Sequence, residues 1–448
     1  MSVLYEIFKA YDVRGKVGSE LNGQTVQAIG QAFGQWLPNA GVVAVGRDMR
    51  PDSAELASAI IKGLRMAGHD VWDIGEVTSD MIYFVTGHYK LAGGAMITAS
   101  HNPGEYNGIK LCREEAKPIG EESGLFEIRD IAISENFNLA GKQGSLVQKD
   151  IVEGWIKHVL SFIDTDRLKP LKIAVDAGNG MAGKIFPELE PFVPFRVKEL
   201  YFELDGTFPN HIANPLEPKN LVDLQAAVTK DGCDAGVAFD GDGDRAVLID
   251  EKGEPVTGTV MTAILADYFL AKYPGATILH NAICGRAAIE TIKSHGGKPI
   301  RTRVGHSFIK GDMRKHKAVF AGEHSGHYYF KDNFMADSGL IAAVIALAVI
   351  GDSNKKLSEL AAPFRKAYVQ INETNFEVKD KQQVMKKIAK QFPKGKQDWL
   401  DGLTVNFDYG WFNVRPSNTE PLLRLNAEAK TKLELDELVT KVTKLVTE

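Results

Sequence analysis

The sequence predicts an α/β protein built from three similar mixed α/β domains and a smaller α+β domain at the carboxyl end. Two observations predict this fold. Short, β-rich apolar runs alternate with longer helical patterns, and the alternation ends near Pro363. Alternation of this kind is typical of α/β units. The length of 448 residues leaves room for two to four domains at about 100–200 residues each.

The predicted elements follow from hydrophobic periodicity. Strands are expected at 41–46, 71–74, 94–98, 171–175, 235–239, 276–279, 403–407 and 411–414. Helices are expected at 54–67, 221–229, 287–295, 340–350, 381–392 and 433–446. Asp380 is the expected N-cap of one helix, and Asp337 or Ser338 that of the apolar helix at 340–350. Polar or turn-forming segments at 134–149, at 250–253 and near Pro363 then divide the chain into domains 1–147, 148–250, 251–365 and 366–448.

Composition excludes several classes of protein. The formal net charge of −5 argues against general binding of nucleic acid, which requires a basic surface. Cys112, Cys233 and Cys284 form no CxxC pair, so a disulfide framework or structural zinc site is not expected and a reducing compartment fits. The amino-terminal residues lack a secretory pattern, and no apolar run is long enough to span a membrane. We therefore expect a cytoplasmic protein without a membrane partner.

The first candidate motif is Thr98–Pro103 (TASHNP), directly after an apolar strand. A serine in a polar turn at the end of a strand occupies the place where α/β proteins carry reactive groups. The adjacent His101 could act as a base or orient an anion. Taken alone, Ser100 is equally well explained by an ordinary turn rich in Ser, Asn and Pro.

The second motif is Asp240–Arg245 (DGDGDR). Asp240, Asp242 and Asp244 alternate with glycines and can converge on one cation, and oxygen ligands alone suit Mg²⁺ or Ca²⁺. An EF-hand is excluded because position 6 of the loop is Arg245 and a strand-like run follows. A solvated acidic turn is the alternative. Arg245 suits a phosphate, which guanidinium binds in bidentate fashion.

Two further loops carry polar groups suited to a sugar phosphate. Gly322–His327 (GEHSGH) offers Glu323 and Ser325 between glycines, and its histidines leave metal ligation as an alternative. Arg415–Pro421 (RPSNTEP) combines an arginine with small polar side chains, which can cradle a phosphate, or it is an ordinary turn. A loop at 8–15 and a turn at 304–310 carry further polar side chains, for which a solvated surface loop is the alternative.

A competing motif is Gly178–Gly183 (GNGMAG), which follows a strand and matches the dinucleotide fingerprint GxGxxG. Glu199 lies at a suitable distance for a ribose contact. Pro187 argues against dinucleotide binding, because it is expected to limit the helix to little more than one turn. A βαβ unit needs a longer crossover than such a helix provides. An NAD-dependent oxidoreductase therefore stays a distant alternative, as does a non-catalytic binding module.

Taken together, FKAYDVRG, TASHNP, DGDGDR, GEHSGH and RPSNTEP resemble the α-D-phosphohexomutase family over the whole chain, and most closely its bacterial phosphomannomutase/phosphoglucomutase branch. The resemblance implies four domains around a central active-site cleft. It also implies interconversion of hexose 1- and 6-phosphates (mannose and/or glucose) through a phosphoserine and a bisphosphorylated sugar. That sugar, of the glucose 1,6-bisphosphate type, serves as intermediate and activator. A monomer or weak homodimer is expected.

The resemblance also implies residue roles. Ser100 carries the phosphoryl group and is, with Asp240, Asp242 and Asp244, a ligand of Mg²⁺. Glu323 and Ser325 match positions that hold sugar hydroxyls, with His327 alongside. The phosphate-binding loop corresponds to Arg415, Ser417, Asn418 and Thr419. The remaining active-site positions are Tyr11, Arg14, Lys110, Arg245 and His306, among which Lys110 is the candidate general acid/base.

Two departures from the family pattern bear on specificity. His324 stands where family members commonly have Met, and the segment at 281–284 lacks a Lys that some relatives place there. The alternative within the family is phosphoglucosamine mutase, whose phosphate loop usually has Gly at the position of Asn418. This difference favours mannose and glucose phosphates as substrates.

Overall fold

The computed structural model describes residues 3–138, 140–417 and 422–448. The chain divides into two compact units. The first contains the residues up to Thr257 together with Ser325–Ser358, and the second contains Gly258–His324 and Glu359–Glu448.

The first unit begins with a mixed sheet whose order is β1-β5-β4-β2-β3-β7, with β6 paired to β5. Its strands are β1 (Val13–Lys16), β2 (Val42–Arg47), β3 (Asp70–Glu76), β4 (Gly93–Ile97), β5 (Tyr106–Arg113), β6 (Lys117–Pro118) and β7 (Leu146–Gln148). Its helices are α1 (Leu4–Ile7), α2 (Gly23–Trp36), α3 (Ser53–Met66), α4 (Ser79–His88) and α5 (Leu125–Ser134). Strands β4, β2, β3 and β7 run parallel, so their carboxyl ends share one edge.

A second mixed sheet in the same unit has the order β12-β11-β10-β8-β9, in which β10, β8 and β9 are parallel. Its strands are β8 (Leu171–Asp176), β9 (Phe195–Leu200), β10 (Ala235–Phe239), β11 (Ala246–Asp250) and β12 (Pro255–Val256). Its helices are α6 (Val152–Leu160), α7 (Ala182–Leu189) and α8 (Val222–Asp231). Strand β10 is buried along its whole length, which its uninterrupted run of apolar and glycine residues predicts.

The next elements belong to the second unit. They are α9 (Gly258–Lys272), β13 (Thr277–Asn281), α10 (Arg286–Ser294), β14 (Lys298–Thr302), α11 (His306–His316) and β15 (Phe320–Gly322). Strands β14 and β15 flank β13 and run parallel to it, so the carboxyl ends of all three strands lie at one edge of the sheet. Asn281, the turn before His306 and Glu323 are therefore at this edge.

The chain then returns to the first unit with an antiparallel pair and an apolar helix. These are β16 (Tyr328–Phe330), β17 (Ala336–Asp337) and α12 (Gly339–Ser353). Helix α13 (Leu357–Ala367) follows, and from Glu359 onward it belongs to the second unit. Ser338 is the N-cap of α12, because its hydroxyl accepts a hydrogen bond from the Ile341 amide. Among the described residues, no helix is both long enough and apolar enough to cross a membrane.

The carboxyl-terminal part of the second unit is an antiparallel sheet with two helices and its own apolar core. Its elements are β18 (Val369–Gln370), β19 (Thr374–Glu377), α14 (Lys381–Gln391), β20 (Lys396–Asp398), β21 (Leu403–Asn406), β22 (Gly410–Pro416), β23 (Leu422–Ala429) and α15 (Lys432–Thr447). Asp380 caps α14 as predicted. The predicted mixed α/β fold with a distinct carboxyl-terminal α+β part is confirmed.

Three local interpretations need correction. Helix α7 continues through Pro187 to Leu189, and it connects the parallel strands β8 and β9, so a βαβ unit is present. A proline within a helix removes one hydrogen bond, and this short helix keeps its buried apolar face despite that loss. Pro363 likewise lies inside α13, so the chain near it is helical. Finally, Arg14 belongs to strand β1 rather than to a loop.

Candidate active site

Ser100 lies in the turn after β4, at the carboxyl edge of the first sheet. Its backbone has φ of 50°, in the left-handed region that residues other than glycine rarely adopt. The side chain is buried, and its hydroxyl donates a hydrogen bond to Asp240 Oδ2 at 2.9 Å. Thr98 supports the turn by accepting a hydrogen bond from the Ser100 amide at 2.9 Å. The predicted nucleophile therefore points at the predicted metal loop.

Arg50 holds this turn in place, although the sequence analysis did not identify it. The buried guanidinium donates to Asp48 and to four main-chain carbonyl oxygens, those of Ser100 (2.9 Å), Asn102 (2.6 Å), Pro103 (2.8 Å) and Tyr106 (2.8 Å). All five N–H groups of an arginine can be used in such a cluster. Arg50 could have been identified from the polar residues that follow β2. Strand β2 is parallel to β4 and ends at the same edge, so residues after β2 lie near the Ser100 turn.

Asp240, Asp242 and Asp244 follow β10 and are buried. One oxygen from each carboxylate lies within 4.8 Å of the others. Oδ1 of Asp242 is buried without a hydrogen-bond partner in the described part of the chain. Three carboxylates, two of which have a buried oxygen without a hydrogen-bond partner among the described residues, fit a hard divalent cation such as Mg²⁺. The arrangement therefore suits the metal that the motif predicts.

The charges in this loop perturb one another strongly. Burial and the carboxylates of Asp244 and Asp242 raise the pKa of Asp240 well above its ordinary value. Burial acts in the same direction on Asp244, but Lys110, His327 and Arg245 together outweigh it and hold the pKa of Asp244 well below its usual range. A cation in the loop would relieve the remaining repulsion.

Lys110 lies on β5 and contacts the metal loop directly. Its Nζ is 2.6 Å from Asp242 Oδ2 and 2.6 Å from Asp244 Oδ2. Although burial opposes it, these two carboxylates raise the pKa of Lys110 well above its ordinary value. Ser79, at the start of α4, also donates to Asp242 Oδ2, at 2.5 Å. The first sheet thus supplies a positive charge and a hydroxyl to a loop of the second sheet.

Arg245 connects the serine turn with the segment that follows Ser325. Its Nε donates to His327 Nε2 at 3.1 Å, and its Nη2 donates to His101 Nδ1 at 3.1 Å. Since arginine only donates, His327 Nε2 is an acceptor and Nδ1 carries the hydrogen that it donates to Ser325 Oγ at 3.0 Å. Burial and the charge of Arg245 lower the pKa of His101 well below its ordinary value. His101 is therefore a neutral imidazole here.

Arg14 lies at the same cluster, on the edge strand β1. Its Nη1 donates to Asn102 Oδ1 at 2.7 Å, and its Nη2 pairs with Asp12. Tyr11 is half-buried one residue before Asp12. The first unit therefore brings together Ser100, His101, Lys110, Arg14, Arg245, Ser325, His327 and the three aspartates of the metal loop.

Glu323 and His306 lie together in the second unit, at the edge formed by β13, β14 and β15. The buried Glu323 carboxylate accepts hydrogen bonds from Asn281 Nδ2 at 3.0 Å and from the Gly305 amide at 3.4 Å. His306 follows as the first residue of α11. Two fixed donors orient a buried carboxylate toward a polar ligand, a role that suits recognition of sugar hydroxyls.

Arg415 is buried near the end of β22 in the second unit. Ser417 follows it, and its amide donates to the Leu422 carbonyl oxygen at 2.8 Å. Asn418 and Thr419, the other two predicted residues of this loop, lie outside the described residues. Glu373 was not predicted, yet its carboxylate lies 3.6 Å from Arg415 Nη2.

The dinucleotide-like loop supports the metal loop. A Cβ atom on Gly180 would lie 2.8 Å from the Gly241 carbonyl oxygen, and the Met181 amide donates to that oxygen at 2.9 Å. A Cβ atom on Gly183 would lie 2.2 Å from the Phe202 carbonyl oxygen. The glycines thus allow close packing against protein backbone.

Comparison with known families places the whole chain in one group. Models of the phosphoglucomutase/phosphomannomutase α/β/α domains match the chain at residues 5–139 (domain I), 153–253 (domain II) and 257–368 (domain III). The model of the carboxyl-terminal domain matches residues 373–445.

Individual relatives agree along nearly the whole length. The chain is 39% identical to phosphohexose mutases of Xanthomonas campestris, over 94% of this chain and 95% of the relative. It is 38% identical to a phosphomannomutase of Escherichia coli K12, over 97% of both chains. A crystal structure of a family protein from Burkholderia thailandensis matches with a TM-score of 0.90 and 31% identity, over 98% of this chain and 96% of the other. With four domain matches in order and relatives at this identity, the chain belongs to the phosphoglucomutase/phosphomannomutase family and is a phosphohexomutase.

Proposed function

We propose that the protein interconverts the 1- and 6-phosphates of mannose and/or glucose, with Ser100 as the carrier of the phosphoryl group. The observation that carries this proposal is the hydrogen bond of 2.9 Å between the buried Ser100 hydroxyl and Asp240. This bond joins a strained turn to a loop of three acidic residues. Such a site can hold a phosphorylated serine against a cation, which is what phosphoryl transfer between oxygens requires.

In the first transfer, the bond between Ser100 Oγ and phosphorus breaks and a bond between phosphorus and the free sugar hydroxyl forms. The hydroxyl loses its proton to a general base. Lys110, our candidate acid/base, is an ammonium held by Asp242 and Asp244, so we propose it as the acid of the pair. The bisphosphorylated sugar then reorients, and its other phosphoryl group returns to Ser100. Arg245, Arg14 and Lys110 are the cationic side chains that support charge neutralisation at this point.

Asp240, Asp242 and Asp244 would hold Mg²⁺, with an oxygen of the serine phosphate as a further ligand. The bound ion supplies positive charge at the phosphoryl group. The support for this ion is the set of three buried carboxylates, two of which have an oxygen without a hydrogen-bond partner in the described part of the chain. Lys110 keeps two of these carboxylates in place from the side of the first sheet.

Recognition of the sugar is assigned to Glu323, Ser325 and His327, and recognition of the phosphate that is not transferred to Arg415 and its loop. The names of the relatives support mannose phosphates, since several are phosphomannomutases. We also propose the four domains as predicted from the sequence. A cytoplasmic location is supported by Cys112, Cys233 and Cys284, which are free thiols.

Replacement of Ser100 by alanine tests the proposal. Ser100→Ala should abolish conversion of mannose 1-phosphate to mannose 6-phosphate, and intact-mass analysis should find no phosphoryl group on the variant. Ser58→Ala is the matched control, because Ser58 lies on the exposed face of α3. Full turnover by Ser100→Ala, with the melting temperature unchanged, would refute the role of Ser100 as the phosphoryl carrier.

A further inference from the structure

Two arginines lie directly opposite each other in the carboxyl-terminal sheet. Arg415 on β22 pairs in register with Arg424 on β23. Like charges at directly opposite positions of a sheet destabilise the pair. Their proximity therefore calls for a negative partner.

Glu373, just before β19, provides that negative charge. Its Oε1 accepts a hydrogen bond from Arg424 Nη1 at 2.9 Å, and its Oε2 accepts one from Asn426 Nδ2 at 2.9 Å. Oε2 also lies 3.6 Å from Arg415 Nη2. One carboxylate thus faces two guanidinium groups and a neutral amide. With Glu373, Arg415 and Arg424 ionised, these side chains together carry a net charge of about +1.

Arg415 is not fixed by this carboxylate. The separation of 3.6 Å exceeds a hydrogen bond. Arg415 Nε is buried without a hydrogen-bond partner in the part of the chain that the structure describes, and Nη1 reaches the Pro416 carbonyl oxygen only at 3.5 Å. Glu373 therefore acts on Arg415 through its charge, and the guanidinium keeps donors for another anion.

We propose that Glu373 is a built-in counter-ion that competes with the substrate's phosphate for the guanidinium of Arg415. The proposal rests on the proposed function, which assigns the phosphate that is not transferred to Arg415. A phosphate carries more charge than a carboxylate and offers three oxygens, so it binds guanidinium groups more strongly. The negative charge of Glu373 then weakens the binding of phosphate, and removal of that charge strengthens phosphate binding.

Glu373→Gln tests this idea because glutamine keeps the size of the side chain and removes its charge. The control is Glu377→Gln, which removes the same charge from an exposed position on the adjoining strand β19. The measurements are KM and kcat with mannose 1-phosphate, and the Kd of inorganic phosphate by calorimetry. We expect Glu373→Gln to lower KM and Kd about three- to tenfold relative to Glu377→Gln, as removal of a nearby like charge should.

The sign of the change decides the outcome. If KM and Kd rise, Glu373 positions Arg415 instead of opposing the phosphate, and the proposal is wrong; equal values in the two variants also overturn it. Glu373→Asp withdraws the carboxylate by one methylene and should shift both values in the same direction if Glu373→Gln does not fold. If the wild-type protein fails to convert the sugar phosphate, the proposed function fails, whereas the Kd of inorganic phosphate still tests the effect of Glu373 on Arg415.

Discussion

Replacement of Arg50 by lysine would test whether the serine turn must be fixed for catalysis. Arg50 donates five hydrogen bonds, one to Asp48 and four to main-chain carbonyl oxygens of the turn. A lysine ammonium has three N–H donors, so at least two of the five acceptors lose their partner. At about 1.5–3 kcal/mol for each bond from a charged donor, the turn loses about 3–6 kcal/mol of local stabilisation.

Part of this lost stabilisation should raise the free energy of the transition state, because Ser100 must keep its left-handed backbone conformation there. We expect kcat to fall about 10- to 100-fold, which corresponds to about 1.4–2.8 kcal/mol. KM should change little, since Arg50 is buried and bonds only to protein groups. The assay is steady-state conversion of mannose 1-phosphate, with hydrogen exchange of the amides of Asn102 and Tyr106 measured on the same samples.

Arg47→Lys is the matched control. Arg47 lies in the same strand region, is partly exposed, and makes a single ion pair of 3.4 Å with Asp73. It should keep both kcat and amide exchange near wild-type values. The reasoning would be refuted if Arg50→Lys kept the wild-type kcat, or if exchange in the turn were no faster than in Arg47→Lys.

Two further predictions concern buried carboxyl groups. Burial raises the pKa of Asp80 to about 7, against about 3.9 in an unfolded chain, so the folded protein holds a proton there that the unfolded chain has released. Its contribution to stability is then present at low pH and falls by up to about 4 kcal/mol between pH 4 and 7. Asp80→Asn should flatten that part of the pH profile in urea unfolding, and parallel profiles for variant and wild type would contradict the assignment. The second prediction is that chelation with EDTA abolishes turnover and added Mg²⁺ restores it, with Asp242→Asn needing at least tenfold more Mg²⁺; activity that persists after chelation would contradict the metal role of this loop.

The sequence predicted those parts of the site whose chemistry is carried by neighbouring residues. The metal loop is an example, because alternating aspartates and glycines in one short segment already determine a set of ligands. Ser100 was identifiable because an apolar strand precedes it. Strands β2, β3 and β4 and helix α3 were predictable for a similar reason, since their periodicity is local, whereas the other elements of the first sheet were not predicted.

Residues that act on distant backbone were not predictable in this way. The partners of Arg50 are carbonyl oxygens about fifty residues later in the chain, and no local motif encodes them. Glu373 is an isolated acidic residue whose role depends on the pairing of β22 with β23. The prediction that Pro187 ends its helix was wrong. A proline removes one hydrogen bond, but the buried apolar face of α7 stabilises the helix despite that loss.

The contact between Lys110 and the metal loop also has a consequence for how the chain folds. The aspartates belong to the second sheet, whereas the ammonium and the Ser79 hydroxyl that satisfy them come from the first. Without the first sheet, three acidic groups would face each other with little compensation except Arg245. In the absence of a bound cation, residues 148–250 should therefore be less stable alone at neutral pH than together with the first sheet.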